Sequence, residues 1–299
     1  PHQVILVHGA QHAIDLIARV LLTPGDSVWI EDPGYLAARQ LLQTAGAVLV
    51  PVPVDREGLD VAAGIREGPF AKMACVAPSH HFPLGRTLSL SRRLALLEWA
   101  RSANAWIVED DFDSEFRYAG TPLSSLQGLD NSGRVIYVGT FSKTVYPSLR
   151  LGYVILPPAL VDRFRSAAAA FDHFSPTLDQ ATLARFIEEG HFTRHVRRMR
   201  AVYRERHDAL LSAASRELDG LLRIEPADTG MHVVGWLQRP NVDAEHVAQR
   251  GEERGLELRA LSRYCMRAKL SEALVLGFAA VPPKALMEGV RTLRELLDT

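Results

Sequence analysis

Along its first half the chain alternates short, nearly continuous apolar runs with runs whose apolar residues recur every three to four positions. The continuous runs are Val4–His8, Ser27–Glu31, Val48–Val54, Met73–Ala77, Trp106–Glu109, Val135–Thr140 and Leu151–Leu156. Runs without polar alternation suit strands covered on both faces, so these seven predict a mostly parallel sheet. Helical spacing fills several of the gaps. Ala13, Leu16, Ile17, Val20 and Leu21 share one face after Gly9, and Pro24-Gly25 ends that pattern. Ser91 is placed to cap a helix carrying Leu94, Leu97 and Ala100 on one face. Alternating strands and helices mean an α/β fold with helices on both faces of the sheet, and such sheets bind ligands at the carboxyl ends of their strands.

The second half follows a different pattern. A long helical stretch from about Pro176 to Ala214 is predicted to break near Gly190. Strands at Leu222–Glu225 and Met231–Trp236, a helix at Ala244–Arg254, strands near Leu256–Leu261 and Ala273–Ala279 and a last helix at Pro283–Leu297 follow. The expected organisation is a large domain over residues 1–180 and a smaller α+β domain over 181–299. Pro1 to Val7 already read as a strand entering a core, so a further segment is expected upstream.

Composition narrows the class. Hydrophobic residues make up 47% of the 299, enough for a substantial core. A net charge of -1 provides no global field for nucleic acid or an anionic membrane. No signal peptide is expected, and no apolar run reaches membrane-spanning length. Cys75 and Cys265 both lie in apolar runs and read as core thiols in a reducing, cytoplasmic setting.

The chemically capable residues fall where strands end. Gly9-Ala10-Gln11-His12 follows the first strand and opens a helix, whose free amides suit an anion such as phosphate. Pro78-Ser79-His80-His81-Phe82-Pro83-Leu84-Gly85 follows the fourth, Glu109-Asp110-Asp111-Phe112-Asp113 the fifth, and Gly139-Thr140-Phe141-Ser142-Lys143-Thr144 the sixth, with Arg150 beyond. Thr140 and Ser142 offer hydroxyls and Arg150 a charge for the same anion. A lysine at a strand end, desolvated beside a cation, can act as a nucleophile, although most lysines are solvated. A carboxylate on a neighbouring strand can hold a pyridine nitrogen protonated and make the ring an electron sink, whereas an acidic run such as 109–113 otherwise caps helices.

These segments, with Glu31-Asp32-Pro33-Gly34-Tyr35 and 180–200, resemble the aminotransferase-like domain of MocR-type bacterial regulators of the GntR superfamily. Those regulators join a DNA-binding winged helix to a fold-type-I aminotransferase domain, and the resemblance runs from Gln3 almost to the C-terminus. It implies a pyridoxal 5'-phosphate cofactor held by Lys143 as a Schiff base. It further implies Asp110 at the pyridine nitrogen, Tyr35 stacked on the ring, a phosphate cup of Ala10, Gln11, Thr140, Ser142 and Arg150, and His80 near the phenolic oxygen. An amine or amino-acid ligand, a homodimer and DNA contact only through a winged helix outside this chain complete the implied picture.

Three positions depart from the pattern. Phe112 stands where a tyrosine usually donates to the phenolic oxygen, His81 replaces a glutamine, and Val275 occupies the place of an arginine that forks onto a substrate carboxylate. Phe112 and Val275 favour a sensing domain over a working aminotransferase, the alternative reading. Arg263, Arg267 and His232 remain as candidate carboxylate contacts.

Competing chemistries fare worse. No ligand spacing joins His80 and His81 into a zinc site. Lys143-Thr144 lacks the glycine of a P-loop, since Ser142 precedes it. The arginines at 194, 197, 198, 200, 204 and 206 are interleaved with glutamate and alanine, which suits a solvated or subunit-facing helix better than a nucleic-acid surface.

Overall fold

The computed structural model describes residues 2–121, 123–171 and 177–298. The larger half contains β1 (Val4–Val7), α1 (Ala10–Leu21), β2 (Ser27–Asp32), α2 (Leu36–Thr44), β3 (Val48–Asp55), β4 (Gly58–Leu59), α3 (Val61–Glu67), β5 (Met73–Val76) and α4 (Leu90–Ser102). It continues with β6 (Trp106–Asp111), α5 (Leu126–Leu129), β7 (Val135–Thr140), β8 (Gly152–Ile155) and α6 (Val161–Phe171). The strand order is β1-β8-β7-β6-β5-β2-β3-β4. All seven expected strands are present. The sheet has eight rather than seven, because the chain after β3 turns back through the two-residue β4, too short to leave a periodic signal.

From β7 through β6, β5 and β2 to β3 the pairing is parallel, and β8 runs antiparallel to both β7 and β1. The carboxyl ends of β1, β2, β5, β6 and β7 therefore share one edge. Apolar runs without alternation are explained by cover on both sides. Val28 and Ile30 pack toward α1, α2 and α6, while Trp29 between them packs toward α3 and α4. Each fully buried Val, Leu or Ile here contributes roughly 1.5–3 kcal/mol. Edge strand β1 is covered less well than its sequence suggests, since Val4 and Leu6 remain exposed.

Two local expectations are corrected. The cap of α4 is Ser89, not Ser91, and its hydroxyl accepts from the Arg92 N–H. Leu94 is exposed, and the inward face of α4 carries Arg93, Leu96, Leu97 and Ala100. Arg93 is buried completely, with its guanidinium donating to the carbonyls of Leu88, Pro78 and Ser124.

Two helices, α7 (Thr177–Glu188) and α8 (His191–Glu217), follow. The predicted break lies at Gly190, which adopts a left-handed φ of 74°. Pro176, the expected start, lies outside the described residues. The smaller half contains β9 (Leu222–Ile224), β10 (His232–Leu237), α9 (Ala244–Glu253), β11 (Arg259–Ala260), β12 (Ala273–Gly277) and α10 (Pro283–Asp298). Its antiparallel sheet has the order β11-β12-β10-β9 and packs with α8, α9 and α10 around its own core.

Two straps bind the small sheet's loops to the strand ends. Asp32, the last residue of β2, accepts the backbone N–H groups of Met266, Arg267 and Ala268 at 2.7, 2.7 and 2.8 Å. Beyond β6, Tyr118 N–H donates to the Asp228 carbonyl and Gly230 N–H to that of Phe116. Gly230 has a φ of 91°, and a Cβ there would fall 1.9 Å from the His80 ring, so only glycine permits this approach.

Candidate functional site

A cavity of about 340 Å3 opens at the shared edge of strand ends. Its floor is built by β2, β5, β6 and β7, and its side by the start of α1. Gly9 caps α1 with a φ of 85° and no side-chain bond, so the first-turn amides at Ala10 and Gln11 point out of the helix toward the cavity. The Arg150 guanidinium lies beside Gly9, close enough that a Cβ on Gly9 would stand 3.6 Å from it. Gly152 also has to be small, since a Cβ there would meet the Gly139 carbonyl at 2.7 Å. This close packing of β8 on β7 carries Arg150 to the same end as Thr140 and Ser142.

Most of the sequence-predicted site residues line this one cavity: Ala10, Gln11, Tyr35, Asp110, Thr140, Ser142, Lys143 and Arg150. Tyr35 begins α2, and its hydroxyl accepts from Gln11 Nε2 at 3.2 Å, which fixes the ring over the opening. The choice between adjacent aspartates follows from strand alternation. Asp110 faces the cavity, whereas Asp111 accepts from the Tyr137 hydroxyl at 2.6 Å and the Ser114 hydroxyl at 2.8 Å. Glu109, on the opposite side, caps α5 through the amides of Leu126 and Gln127.

Other expected contacts lie elsewhere. His80 is one layer behind the lining, with Nδ1 2.8 Å from Asp113 and its ring 5.7 Å from that of Phe112. Arg263 is paired with Glu245, and Arg267 lies 3.4 Å from Glu67, both away from the cavity. His232 is committed to the Pro83 carbonyl at 2.9 Å. Val275 is buried in an apolar cluster. Cys75 is a buried thiol lining the cavity, but Cys265 is half-exposed, because it follows a short turn rather than a strand.

Glu31, Cys75 and Phe82 belong to the lining and were not singled out for it. Glu31 had a detectable signal, a carboxylate at a strand end. Its carboxyl accepts from the Ala77 N–H at 3.1 Å. Burial pushes its pKa up to about 8, with Asp110 adding to the rise and the Ala77 bond opposing it. Burial, with help from Asp111 and Asp113, likewise raises Asp110 to about 7 against the pull of Lys143. His81 and His232 are pushed down to about 3 by burial.

These shifts have a stability consequence for the protein without cofactor. Both histidines are neutral in the folded state throughout this range, and the loss of the remaining proton from unfolded histidine above pH 6.5 offsets only part of the carboxyl effect. Between pH 6.5 and 8 folded Glu31 still holds a proton that the unfolded chain has released, so stability falls as pH rises. Glu31 accounts for about 2 kcal/mol of that fall. Urea midpoints should therefore be lower at pH 8 than at pH 6.5, and Glu31→Gln should shrink the difference to the smaller part that Asp110 contributes. A wild-type midpoint that does not fall over this range would contradict the assignment.

The site's geometry has relatives. Residues 1–281 match the family model described as aminotransferase class I and II. The chain belongs to the aminotransferase class I and II family. Within it, the chain is 42% identical over 294 residues to the probable rhizopine catabolism regulatory protein MocR of Rhizobium meliloti, covering 98% of this chain and 59% of that protein. It is 30% identical to aromatic-amino-acid aminotransferase 1 of Thermococcus litoralis, covering 98% and 72%. The solved α-aminoadipate aminotransferase LysN of Thermus thermophilus, complexed with N-(5'-phosphopyridoxyl)-L-leucine, superposes with a TM-score of 0.91 at 29% identity, covering 100% and 77%. The chain is thus an aminotransferase-like domain homologous to MocR-type regulators, and it spans about 60% of the length of the first curated relatives it matches.

The cofactor of this family of aminotransferases is pyridoxal phosphate. The cavity fits that group on its own chemistry. Among the described residues, four buried side-chain polar atoms lack a partner, and two of them, Asp110 Oδ1 and Ser142 Oγ, belong to residues lining this cavity. A carboxylate on the floor and a hydroxyl at the α1 end are the two groups that a pyridine nitrogen and a phosphate would engage. No helix among the described residues is long and apolar enough to cross a membrane.

Proposed function

We propose that this chain is the effector-sensing domain of a MocR-like transcription regulator, with pyridoxal phosphate joined to Lys143. The observation that carries the cofactor reading is the convergence of Lys143, Asp110, Ser142 and Arg150 on one cavity, two of them with buried atoms that nothing among the described residues satisfies. When bound, the cofactor would supply an electron sink for the carbon that bears an attached amine nitrogen. This chain's residues do the rest. The α1 amides, Thr140, Ser142 and Arg150 hold the phosphate, Asp110 holds the ring nitrogen's proton, and Tyr35 covers one ring face. His80 acts through Phe112 and the Asp113 bond, as a support for the wall rather than a contact.

Sensing is favoured over catalysis by the same cavity. Phe112 lines it with no hydroxyl to donate, and among the described residues no arginine other than Arg150 lines it. The Asp32 and Phe116–Gly230 straps give a ligand at the strand ends a mechanical route to the small sheet. We assign the two halves to domains dividing near residue 180. The proposed partners are an amine or amino-acid ligand and a second copy of the chain, in the cytoplasm, with DNA contacted only by a winged helix outside these residues. Mixing the cofactor-loaded protein with a panel of amines and amino acids and an oxo-acid acceptor tests the ranking. Spectral change without sustained turnover is expected; multiple turnovers would make the protein an aminotransferase instead.

A further inference from the structure

The cavity has two ends of opposite character. Arg150 and the α1 amides make one end suited to an anion. Elsewhere the lining is apolar and aromatic, a wall in which Phe82 is backed by residues of the smaller half. The Phe82 ring lies 6.4 Å from that of Tyr35, 4.9 Å from that of Tyr264 and 5.0 Å from that of His232, all in edge-to-face contact. Behind it, Val275 is buried with Val234, Leu261 and Ala273 in the cluster on which Phe82 and Tyr264 pack. Strand register explains the depth of Val275: it pairs with Val234 of β10 on one side and Arg259 of β11 on the other.

Groups able to supply a positive charge to this wall are committed elsewhere. The Nε2 atoms of His81 and His232 are 2.9 Å from the carbonyls of Pro33 and Pro83. Burial keeps both rings neutral at physiological pH. Arg263 and Arg267 point to surface glutamates. Arg259 pairs with Glu257 at 2.9 Å, and Arg86 with Glu225 at 2.9 Å. Among the described residues the cations lining the cavity are Lys143 and Arg150, the first being the proposed attachment point and the second standing against Gly9.

We infer that the ligand recognised here is a primary amine without a carboxylate, its substituent uncharged and partly apolar. The inference rests on the function proposed above and narrows it. A carboxylate carried to the Phe82 wall would surrender its water and meet no counter-charge, whereas an uncharged substituent loses little on entry and gains contact with the lining rings of Tyr35, Phe82 and Phe112. An amino acid therefore competes poorly with the amine that has the same side chain.

The test compares matched pairs on the cofactor-loaded protein: 2-phenylethylamine against L-phenylalanine, and butylamine against 4-aminobutanoate. Two readouts are followed, the cofactor's absorbance and the shift in thermal midpoint. The amine of each pair should half-saturate the response at about tenfold lower concentration or less. Equal or tighter binding of the carboxylate members would overturn the inference. Because the wild-type protein is used throughout, no outcome depends on a variant that fails to fold. The two readings fail differently: a protein that never acquires a cofactor band refutes the proposed function, while a normal band with carboxylate preference refutes only the ligand class.

Discussion

Lys143→Ala is expected to eliminate the covalently held cofactor and its absorbance band at the edge of the visible while leaving the fold intact. Lys143 is exposed to the cavity and takes part in no side-chain hydrogen bond that would be lost on truncation, so the thermal midpoint of the cofactor-free protein should barely move. The rest of the site survives the change. First-turn amides of α1, the Thr140 and Ser142 hydroxyls and Arg150 still face a phosphate, each charge-assisted bond being worth about 1.5–3 kcal/mol. The variant should therefore bind pyridoxal phosphate reversibly and lose it on gel filtration, and it should bind unphosphorylated pyridoxal far more weakly. Borohydride reduction of the wild-type complex followed by peptide mass mapping should find the cofactor on the peptide containing Lys143. A label on another lysine, or an unchanged band in the variant, would end the assignment.

The strand framework around this site was legible in the sequence where the physics is local. Seven strands were legible because a strand covered on both faces has no polar alternation, and both Trp29 and its neighbours Val28 and Ile30 are buried. Strand ends then located Asp110, Ser142 and Lys143, since parallel strands bring their carboxyl ends to one edge. The match to a known domain added roles that periodicity does not contain. What escaped was long-range. Arg93 looks like a surface residue of an amphipathic helix, and only the fold reveals the three carbonyls that satisfy it. Asp32 meets the amides of residues 266–268 from the far end of the chain, a pairing no local pattern encodes. The same limit misplaced Arg263 and Arg267: their charge was visible, but Glu245 and Glu67, which hold them at the surface, are neighbours only in space.

Asp110→Asn should be the second most damaging change to cofactor binding, and it separates the ring nitrogen from the phosphate as a source of affinity. The side chain is buried, its Oδ1 has no partner among the described residues, and burial holds its pKa near 7 in spite of the pull of Lys143. A protonated ring nitrogen supplies a direct cationic partner. Asparagine keeps the shape but removes the charge, so the buried positive ring loses its counter-ion, at a cost of about 2–5 kcal/mol in affinity. The fold should not suffer, because the neutral amide is easier to bury than the carboxylate and stability of the cofactor-free variant at pH 8 should equal or exceed that of the wild type. Asp111→Asn is the control. Its oxygens serve Tyr137 and Ser114, so it should lower stability while leaving cofactor affinity within a few fold. Fluorescence titration of both variants with pyridoxal phosphate decides the matter. If Asp111→Asn weakens binding and Asp110→Asn does not, the assignment of the ring nitrogen to Asp110 is wrong, however well the cavity is shaped around it.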